Sequence, residues 1–469
     1  MGIKLIDSTL REGSQSTGVY FEIEEIRNIA SMLDSFGVDC IEVGHPYCNI
    51  YEMEKTKAVT SLPLNALVLA HSRARISDVT AVKESGASWI GIFTGINPIS
   101  LKNKFNSSST DKIIERITES ISYAKILGLK VRFTLEDASR TAPELKIKAF
   151  KTAIDAGADR ICYSDTVGVL NTEQAKEELS HIRTHFPDID IEVHFHDDRG
   201  LALANALSVK PYINWISCSV NGIGERCGIT DTLALKANIM YENGKPWTVK
   251  ETEKARLLSK MINAYSRSNR DERSPIVGKH AFTHCADLHI KAFEKDLNAY
   301  CWIRDYEGQK AYRNDRKTPE MYVNSNPKVI SATELKYHRK GPGNRYVMMD
   351  SRIAANVKQY CIVREIDVYC NDYPSYVDTH VHHCDSLFIF LGDQLHYKGL
   401  QVAVELDNKE FILDSPASVF IPSGKKHSYR VIKGKGSFVN HVLSENYNES
   451  LLELPVLTEE KEKLIINNI

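Results

Sequence analysis

The run IEVHFH, at residues 191–196, is the seventh of eight short apolar stretches spaced along roughly the first 240 residues. The segments between these stretches carry apolar residues at helical spacing and several end at a glycine, as at Gly37, Gly86, Gly128 and Gly157. Eight strand–helix units of this size predict an α/β fold, a closed (β/α)8 TIM barrel. An open doubly wound sheet is the alternative, but the even repeat favours closure. The other stretches are residues 5–7, 40–43, 66–70, 89–93, 130–134, 160–164 and 215–220.

Polar residues collect where these predicted strands end. A barrel places its active site at the carboxyl ends of its strands, so we expect these side chains to meet at one rim. In chain order they are Arg11, Glu12, His45, His71, Glu136, Asp165, Thr166, His194 and His196.

The pattern changes after about residue 240. A helix is predicted from about 248 to 270, and residues 271–355 are mixed, with loops rich in Asn, Pro and Gly. Short alternating strands dominate from about 356 onward. We therefore expect a catalytic barrel domain (1–270), a mixed helical linker subdomain contributing to the active site (271–355) and an all-β domain (356–469).

Composition excludes several classes of function. Lys plus Arg number 59 and Asp plus Glu 61, for a net charge of -2, so nucleic acid is not an expected partner. No apolar stretch approaches the roughly 18 residues of a membrane span, and the N-terminus has no signal-peptide core. The ten cysteines form no CxxC pair, which indicates reduced thiols and a cytoplasmic location.

The two histidines of the seventh strand predict a metal site. Because strand side chains alternate between faces, His194 and His196 point the same way. Glu12, at the end of the first strand, is the natural third ligand, and two His and one carboxylate suit a divalent Lewis acid with open positions for substrate. The alternative is a pair of buried, hydrogen-bonded histidines without an ion.

Three motifs, DSTLREG (7–13), HFHDD (194–198) and GIGERCGIT (222–230), resemble signatures of the DRE-TIM metallolyase superfamily. Within it the chain resembles the Claisen-condensing branch of homocitrate and isopropylmalate synthases, over about residues 1–295. The resemblance implies condensation of acetyl-CoA with a 2-oxo acid at a zinc, magnesium or manganese ion held by Glu12, His194 and His196. It also implies that Arg11 stabilises the developing alkoxide.

The segment RFTLED (132–137) bears on which 2-oxo acid is used. It resembles the homocitrate synthase strand in which an arginine and a hydroxyl hold the distal carboxylate of 2-oxoglutarate, which implies this role for Arg132 and Thr134. A buried arginine needs an anion, so an acidic substrate is favoured. The alternative is an internal ion pair of Arg132 with Glu136 or Asp165. The resemblance also implies substrate contacts for Gln15, His71 and Thr166.

The sequence departs from homocitrate synthases at several positions. Ser14 stands where they carry an acidic residue, and Arg199 and the run GHP (44–46) also differ. Oxaloacetate, phosphonopyruvate and 2-oxoisovalerate therefore remain alternatives to 2-oxoglutarate.

An acid–base pair is implied by the segment AFTHCADLH (281–289). In the family its second histidine, here His289, acts with the strand-5 glutamate, here Glu136. This segment reaches the active site of a neighbouring subunit in relatives, which implies a homodimer. Asp287 stands where those enzymes have glycine.

The C-terminal region resembles the two cupin motifs, in HVHHCD (380–385) and PSGKKH (422–427). The resemblance implies a small β barrel and a possible second metal at His380, His382 and His427. A structural or small-molecule pocket is the alternative, and the task of this domain stays open.

Two other functions compete with the acyltransferase. One is a lyase of the same superfamily that runs the reverse reaction, and the segment around His289 favours the synthases over it. The other is a non-catalytic ligand-binding protein, which the set Arg11, Glu12, His194, His196 and Glu136 disfavours.

Overall fold

The computed structural model describes residues 2–105, 109–268, 271–312, 323–331, 334–354, 357–368 and 375–453. Two compact units divide the chain: Met1–Ile262 with Asn269–Arg313, and Asn263–Ser268 with Asn314–Pro455. The last residues of the predicted all-β domain, 454–469, lie outside the described part. Among the described residues, no helix has the length and apolar character needed to cross a membrane.

The first unit contains the predicted barrel. Its eight parallel strands pair in chain order, and the eighth closes on the first. The strands are β1 (Lys4–Asp7), β2 (Cys40–Glu42), β3 (Leu67–Arg73), β4 (Trp89–Thr94), β5 (Lys130–Leu135), β6 (Arg160–Asp165), β7 (Asp190–Phe195) and β8 (Trp215–Cys218).

Helices follow the strands and bury their apolar faces against them. Gly37, Gly86, Gly128 and Gly157 all have positive φ, as expected of glycines that end helices before the next strand. The helices are α1 (Ile23–Phe36), α2 (Ile50–Thr60), α3 (Ile76–Glu84), α4 (Pro98–Lys104), α5 (Thr110–Ile126), α6 (Pro143–Asp155), α7 (Thr172–His185), α8 (Ala202–Ser208) and α9 (Thr232–Glu242).

The predicted strand ends are right to within a few residues, with one consequence for the site. β3 continues to Arg73, so His71 lies within the strand rather than after it. His196 lies one residue beyond β7 and forms an isolated bridge with Ile229.

After the barrel come α10 (Val249–Ser266), β9 (Thr283–His284), α11 (Asp287–Phe293) and β10 (Lys310–Ala311). Helix α10 corresponds to the helix predicted over 248–270. The short strands β9 and β10 pair in parallel, and α11 carries His289.

The second unit contains an antiparallel sheet, which we call the C-terminal β domain. The sheet order is β11-β12-β13-β18-β14-β17, with β15 pairing β16 and β18. The strand β12 was not predicted, because it lies before residue 356, where the alternating strands were expected to begin. The elements are β11 (Lys328–Val329), β12 (Arg345–Met349), β13 (Tyr360–Val368), β14 (Ser386–Gly392), β15 (Leu400–Leu406), β16 (Lys409–Asp414), β17 (Ala417–Ile421), β18 (His427–Val442) and α12 (Tyr447–Ser450).

Barrel stability is expected to depend on the layer between helices and strands. Phe150 of α6 is fully buried and packs edge-on against Phe133 of β5, with ring centroids 6.3 Å apart. Phe150→Ala should lower the free energy of unfolding by about 3–5 kcal/mol, measured by urea denaturation. Ile126→Ala, at a side chain 80% exposed, is the control and should change it little. Equal effects of the two substitutions would contradict this packing.

Candidate functional site

A cavity of about 540 Å³ opens where the barrel strands end. It brings together side chains from the ends of several strands, as the barrel prediction requires. Ten predicted site residues line it: Arg11, Glu12, Gln15, His71, Arg132, Thr134, Glu136, Thr166, His194 and His196. His289 is not among the described residues that line this cavity.

Glu12, His194 and His196 converge inside the cavity. The Nε2 atoms of the two histidines are 3.3 Å apart, and the Glu12 carboxylate oxygens lie 3.8 and 4.0 Å from them. One potential ligand atom of each residue lies within 4.8 Å of the others. The Nδ1 atom of His194 faces the Ser217 hydroxyl at 2.9 Å, which orients the ring. These donors fit one divalent ion.

The electrostatics of this triad also suit a metal. Burial acts to raise the pKa of Glu12, but Arg11 and the two imidazoles outweigh it and lower that pKa to about 2. Burial lowers the pKa of His194 well below its usual range, and the neighbouring His196 lowers it further. A carboxylate facing two neutral imidazoles is the protonation state that binds a cation.

The glycine-rich run after β8 packs against the triad. A side chain on Gly224 would lie 3.0 Å from Glu12 Cγ, and the Glu225 amide donates to Glu12 Oε1 at 3.1 Å. This run therefore positions a metal-ligand candidate by close backbone approach.

Arg11 joins the triad to a second buried carboxylate. Its guanidinium contacts Glu12 through Nη1 and donates from Nε to Glu42 Oε2 at 2.8 Å. Arg11 is thereby fixed beside the candidate metal position, where it can stabilise negative charge on a bound oxygen.

Glu42, which the sequence analysis did not select, is the centre of a buried network. Its side chain is fully buried and also contacts Arg132 Nη2 at 2.7 Å, His71 Nδ1 at 3.1 Å and the Ser8 hydroxyl. Burial acts to raise the pKa of Glu42, but Arg11 and Arg132 hold it well below its usual range. The available signal was a glutamate inside an otherwise apolar strand.

Arg132 is already paired within the protein. Besides Glu42 it donates to Glu192 Oε1 at 2.9 Å, and Glu192 in turn contacts Arg160 at 3.0 Å. These two carboxylates already balance the charge of Arg132, so its burial alone does not require a substrate anion. The internal ion pair offered as the alternative exists, but with these partners rather than with Glu136 or Asp165.

Hydroxyl groups on β5 and after β6 face the same cavity. Thr134 lines the cavity, and its buried hydroxyl lies beside the Cys162 thiol. Thr166 Oγ1 accepts from the Asp137 amide at 2.8 Å and lies 3.1 Å from the Ser164 hydroxyl.

A buried lysine was also missed by the sequence analysis. Lys55 of α2 lines the cavity, is 1% exposed, and lies 3.1 Å from Glu52 Oε1 and 3.2 Å from the Ser14 hydroxyl. The sequence did not predict Lys55 as a site residue, because it lies on a helix and the barrel fold predicts site residues at the ends of strands.

The two predicted acid–base residues lie apart from the triad's network. Glu136 lines the cavity and its carboxylate is paired with Lys104 of α4. His289 stacks on Tyr300, with ring centroids 3.9 Å apart, and its edge contacts His284. The described contacts do not bring Glu136 and His289 together within one chain.

The C-terminal β domain contains the second predicted triad. Ligand atoms of His380, His382 and His427 lie within 4.8 Å of one another, and all three residues are buried. Nδ1 of His380 and of His427 faces a carbonyl oxygen at 2.8 and 2.9 Å, so each must donate there. The Nε2 atoms of His382 and His427 are buried without a hydrogen-bond partner among the described residues. These lone pairs fit a metal ion.

Comparisons with known proteins agree with the barrel and its motifs. Residues 2–261, more than half of the chain, match the family model described as HMGL-like. A homocitrate synthase of Sulfurisphaera tokodaii is 38% identical over 305 residues, which are 64% of this chain and 66% of that protein. A homocitrate synthase of Saccharolobus islandicus is 37% identical over 303 residues, 64% of this chain and 65% of that protein. The chain thus spans slightly less than two thirds of these curated relatives.

Two solved structures share the fold. The HMG-CoA lyase of Bacillus subtilis has a TM-score of 0.51 at 20% identity and covers 57% of this chain and 94% of its own. The HMG-CoA lyase of Acinetobacter baumannii, in complex with coenzyme A and 3-methylmalate, has a TM-score of 0.50 at 17% identity and covers 57% and 92%. At these identities the likeness supports the barrel fold alone.

The network around Glu42 predicts a stability effect. Glu42→Gln leaves Arg11 and Arg132 without their shared buried carboxylate and should lower the free energy of unfolding by about 3–5 kcal/mol in urea denaturation. Glu24→Gln, at a side chain 66% exposed, is the matched control and should stay within about 0.5 kcal/mol of the parent. A Glu42→Gln variant as stable as the control would refute the role of this carboxylate.

The barrel triad predicts metal content. His194→Ala should lower the number of bound divalent ions by one per chain, measured by plasma mass spectrometry after dialysis. His181→Ala, on the exposed surface of α7, is the control and should retain the parent content. Undiminished metal in His194→Ala would show that the ion binds elsewhere.

Proposed function

Since the chain belongs to the HMGL-like family, we propose that it is an acyltransferase that condenses acetyl-CoA with an acidic 2-oxo acid, most simply 2-oxoglutarate to give homocitrate. The observation that carries the proposal is the meeting of Arg11, Glu12, His194 and His196 in one cavity. The chain is 37–38% identical, over 303–305 residues, to proteins named homocitrate synthase.

A divalent ion held by Glu12, His194 and His196 would supply Lewis-acid polarisation of the keto group. Zinc, manganese and magnesium all fit the proposal, and the two imidazoles favour zinc. Arg11 lies beside this position. Its Nε donates to Glu42, and its Nη1 contacts the Glu12 carboxylate. In this reading Arg11 stabilises the alkoxide that forms as the new carbon–carbon bond is made.

The charge of the site supports an acidic substrate. Arg11, Arg132 and Arg160 are balanced by Glu12, Glu42 and Glu192, which they contact in the ion pairs described above. The buried cluster is therefore neutral by itself. The double charge of a bound ion would then match the two carboxylates of an acidic 2-oxo acid better than the single carboxylate of 2-oxoisovalerate.

Contacts to the distal carboxylate are proposed for Thr134 and Arg132, with Gln15, His71 and Thr166 completing the substrate site. The position of Thr134 on the cavity wall, beside Arg132, supports this role. Arg132 donates to both Glu42 and Glu192, so its guanidinium is held in place. It would therefore attract the substrate carboxylate by its charge rather than by a two-pronged hydrogen bond.

Acetyl-CoA must lose a proton from its methyl group before it can attack. We assign this proton transfer to Glu136, which lines the cavity and lies in a carboxylate–lysine pair with Lys104. His289 would complete the pair from the partner subunit of a homodimer, because it does not line the cavity of its own chain among the described residues. Water then cleaves the thioester and releases the CoA thiol.

A second divalent ion is proposed at His380, His382 and His427 in the C-terminal β domain. The two buried Nε2 atoms without partners support it.

The proposed reaction is tested by release of free thiol from acetyl-CoA in the metal-loaded protein. We expect release with 2-oxoglutarate and little with 2-oxoisovalerate. Release with oxaloacetate or phosphonopyruvate alone would reassign the substrate. Thiol formation from no 2-oxo acid would refute the condensation, and cleavage of a 3-hydroxy acyl thioester would then identify a lyase.

The acid–base assignment has its own test. Glu136→Gln should lower kcat of thiol release by at least about 100-fold, since an amide cannot accept the methyl proton, while 2-oxo acid binding is retained. Glu144→Gln, an exposed position on the adjacent α6, is the matched control and should leave kcat unchanged. His289→Ala should act like Glu136→Gln. Full turnover in both variants would remove this assignment.

A further inference from the structure

Two arginines face each other inside the C-terminal β domain. Arg345 of β12 and Arg364 of β13 are register partners on adjacent antiparallel strands. They are 3% and 1% exposed, so both guanidinium groups are removed from solvent. Two like charges placed directly opposite on neighbouring strands repel each other.

No internal anion compensates this pair within the described residues. Arg345 Nε, Nη1 and Nη2 are all buried without a hydrogen-bond partner. Arg364 donates from Nε to the Pro342 carbonyl at 2.8 Å and lies over the Tyr376 ring at 4.1 Å, but its Nη1 is unpartnered. The Asp350 carboxylate, which follows the opposite end of β12 from Arg345, is engaged by Arg352 at 2.7 Å.

An arginine remains charged in a protein, so this pair requires an anion that the described residues do not supply. A buried charge without a counter-ion is strongly unfavourable. Arg132 in the barrel differs from this pair, because two glutamates form ion pairs with that one buried arginine.

We propose that the C-terminal β domain binds a small organic carboxylate between Arg345 and Arg364. A carboxylate matches the parallel donors of a guanidinium fork, and the unpartnered donors of the two residues suffice for both of its oxygens. Val347, Tyr360 and Ile362 form a buried apolar cluster on the same two strands, which favours an organic acid over a hydrated inorganic ion.

The site adjoins the histidine triad. His338 lies close enough to Arg345, Arg364 and His380 for their charges to act on it. Nε2 of His338 is 2.7 Å from the Tyr447 hydroxyl, which is 2.9 Å from His380 Nε2. A ligand held by the arginines would therefore lie next to the triad, and a polar group at its other end could reach the histidines.

Hydrogen–deuterium exchange of the full, metal-loaded chain tests the site without any substitution. The probes are succinate, acetate and inorganic phosphate; succinate lacks the keto oxygen that the barrel reaction requires. We expect succinate or acetate to protect peptides covering 345–349 and 360–366. No protection there by either acid would overturn the proposal, and protection by phosphate alone would overturn the assignment of a carboxylate.

A matched pair of variants then locates the contact. Arg345→Met should weaken binding of the protecting acid at least tenfold in calorimetric titration, whereas Arg339→Met, at a side chain 62% exposed in the same domain, should stay within twofold. Equal affinity of both variants would overturn the role of Arg345. If the methionine variant does not fold, Arg345→Lys replaces it, because lysine keeps the positive charge but lacks the paired donors of a guanidinium. This variant should bind the acid with intermediate affinity. Parent affinity in Arg345→Lys would likewise overturn the role of the fork. These outcomes do not depend on the barrel reaction.

Discussion

The buried Glu42 carboxylate is the interaction on which the barrel site depends. It accepts from Arg11 and Arg132 at once and lies against His71, so one fully buried group orients side chains from the loop after β1, from β3 and from β5. Removing it would leave two buried guanidinium groups without an anion. Because Arg11 also contacts Glu12, the position of the candidate metal ligand follows from the same carboxylate.

Much of the fold and part of the site follow from local sequence. The eight apolar stretches, the glycines at helix ends and the HxH spacing at His194 and His196 each reflect a local periodicity or backbone requirement. Because the barrel closes with β1 beside β8, and β8 pairs with β7, the loop after β1 brings Glu12 to those histidines. The strand that contains His71 was predicted too short, because polar residues in its second half mask its continuation.

The partners of buried charges could not be predicted, because they depend on which strands become neighbours across the barrel. Arg132 was identified from its segment, yet its contacts come from Glu42 and Glu192, 90 and 60 residues away. The pairing of Arg345 with Arg364 likewise requires the register of β12 and β13, and β12 itself was not predicted. The two units thus use buried arginines differently: the barrel supplies carboxylates to Arg132, whereas the described part of the C-terminal β domain supplies none to Arg345.

The central claim is that the barrel joins the methyl carbon of an acetyl thioester to the keto carbon of an acidic 2-oxo acid. The most direct measurement is the carbon-13 NMR spectrum of the product formed from methyl-labelled acetyl-CoA, 2-oxoglutarate and the metal-loaded protein. The account predicts that the label becomes a methylene carbon bonded to a quaternary hydroxyl-bearing carbon, as in homocitrate. Label found only in unchanged acetyl-CoA or in free acetate would contradict it.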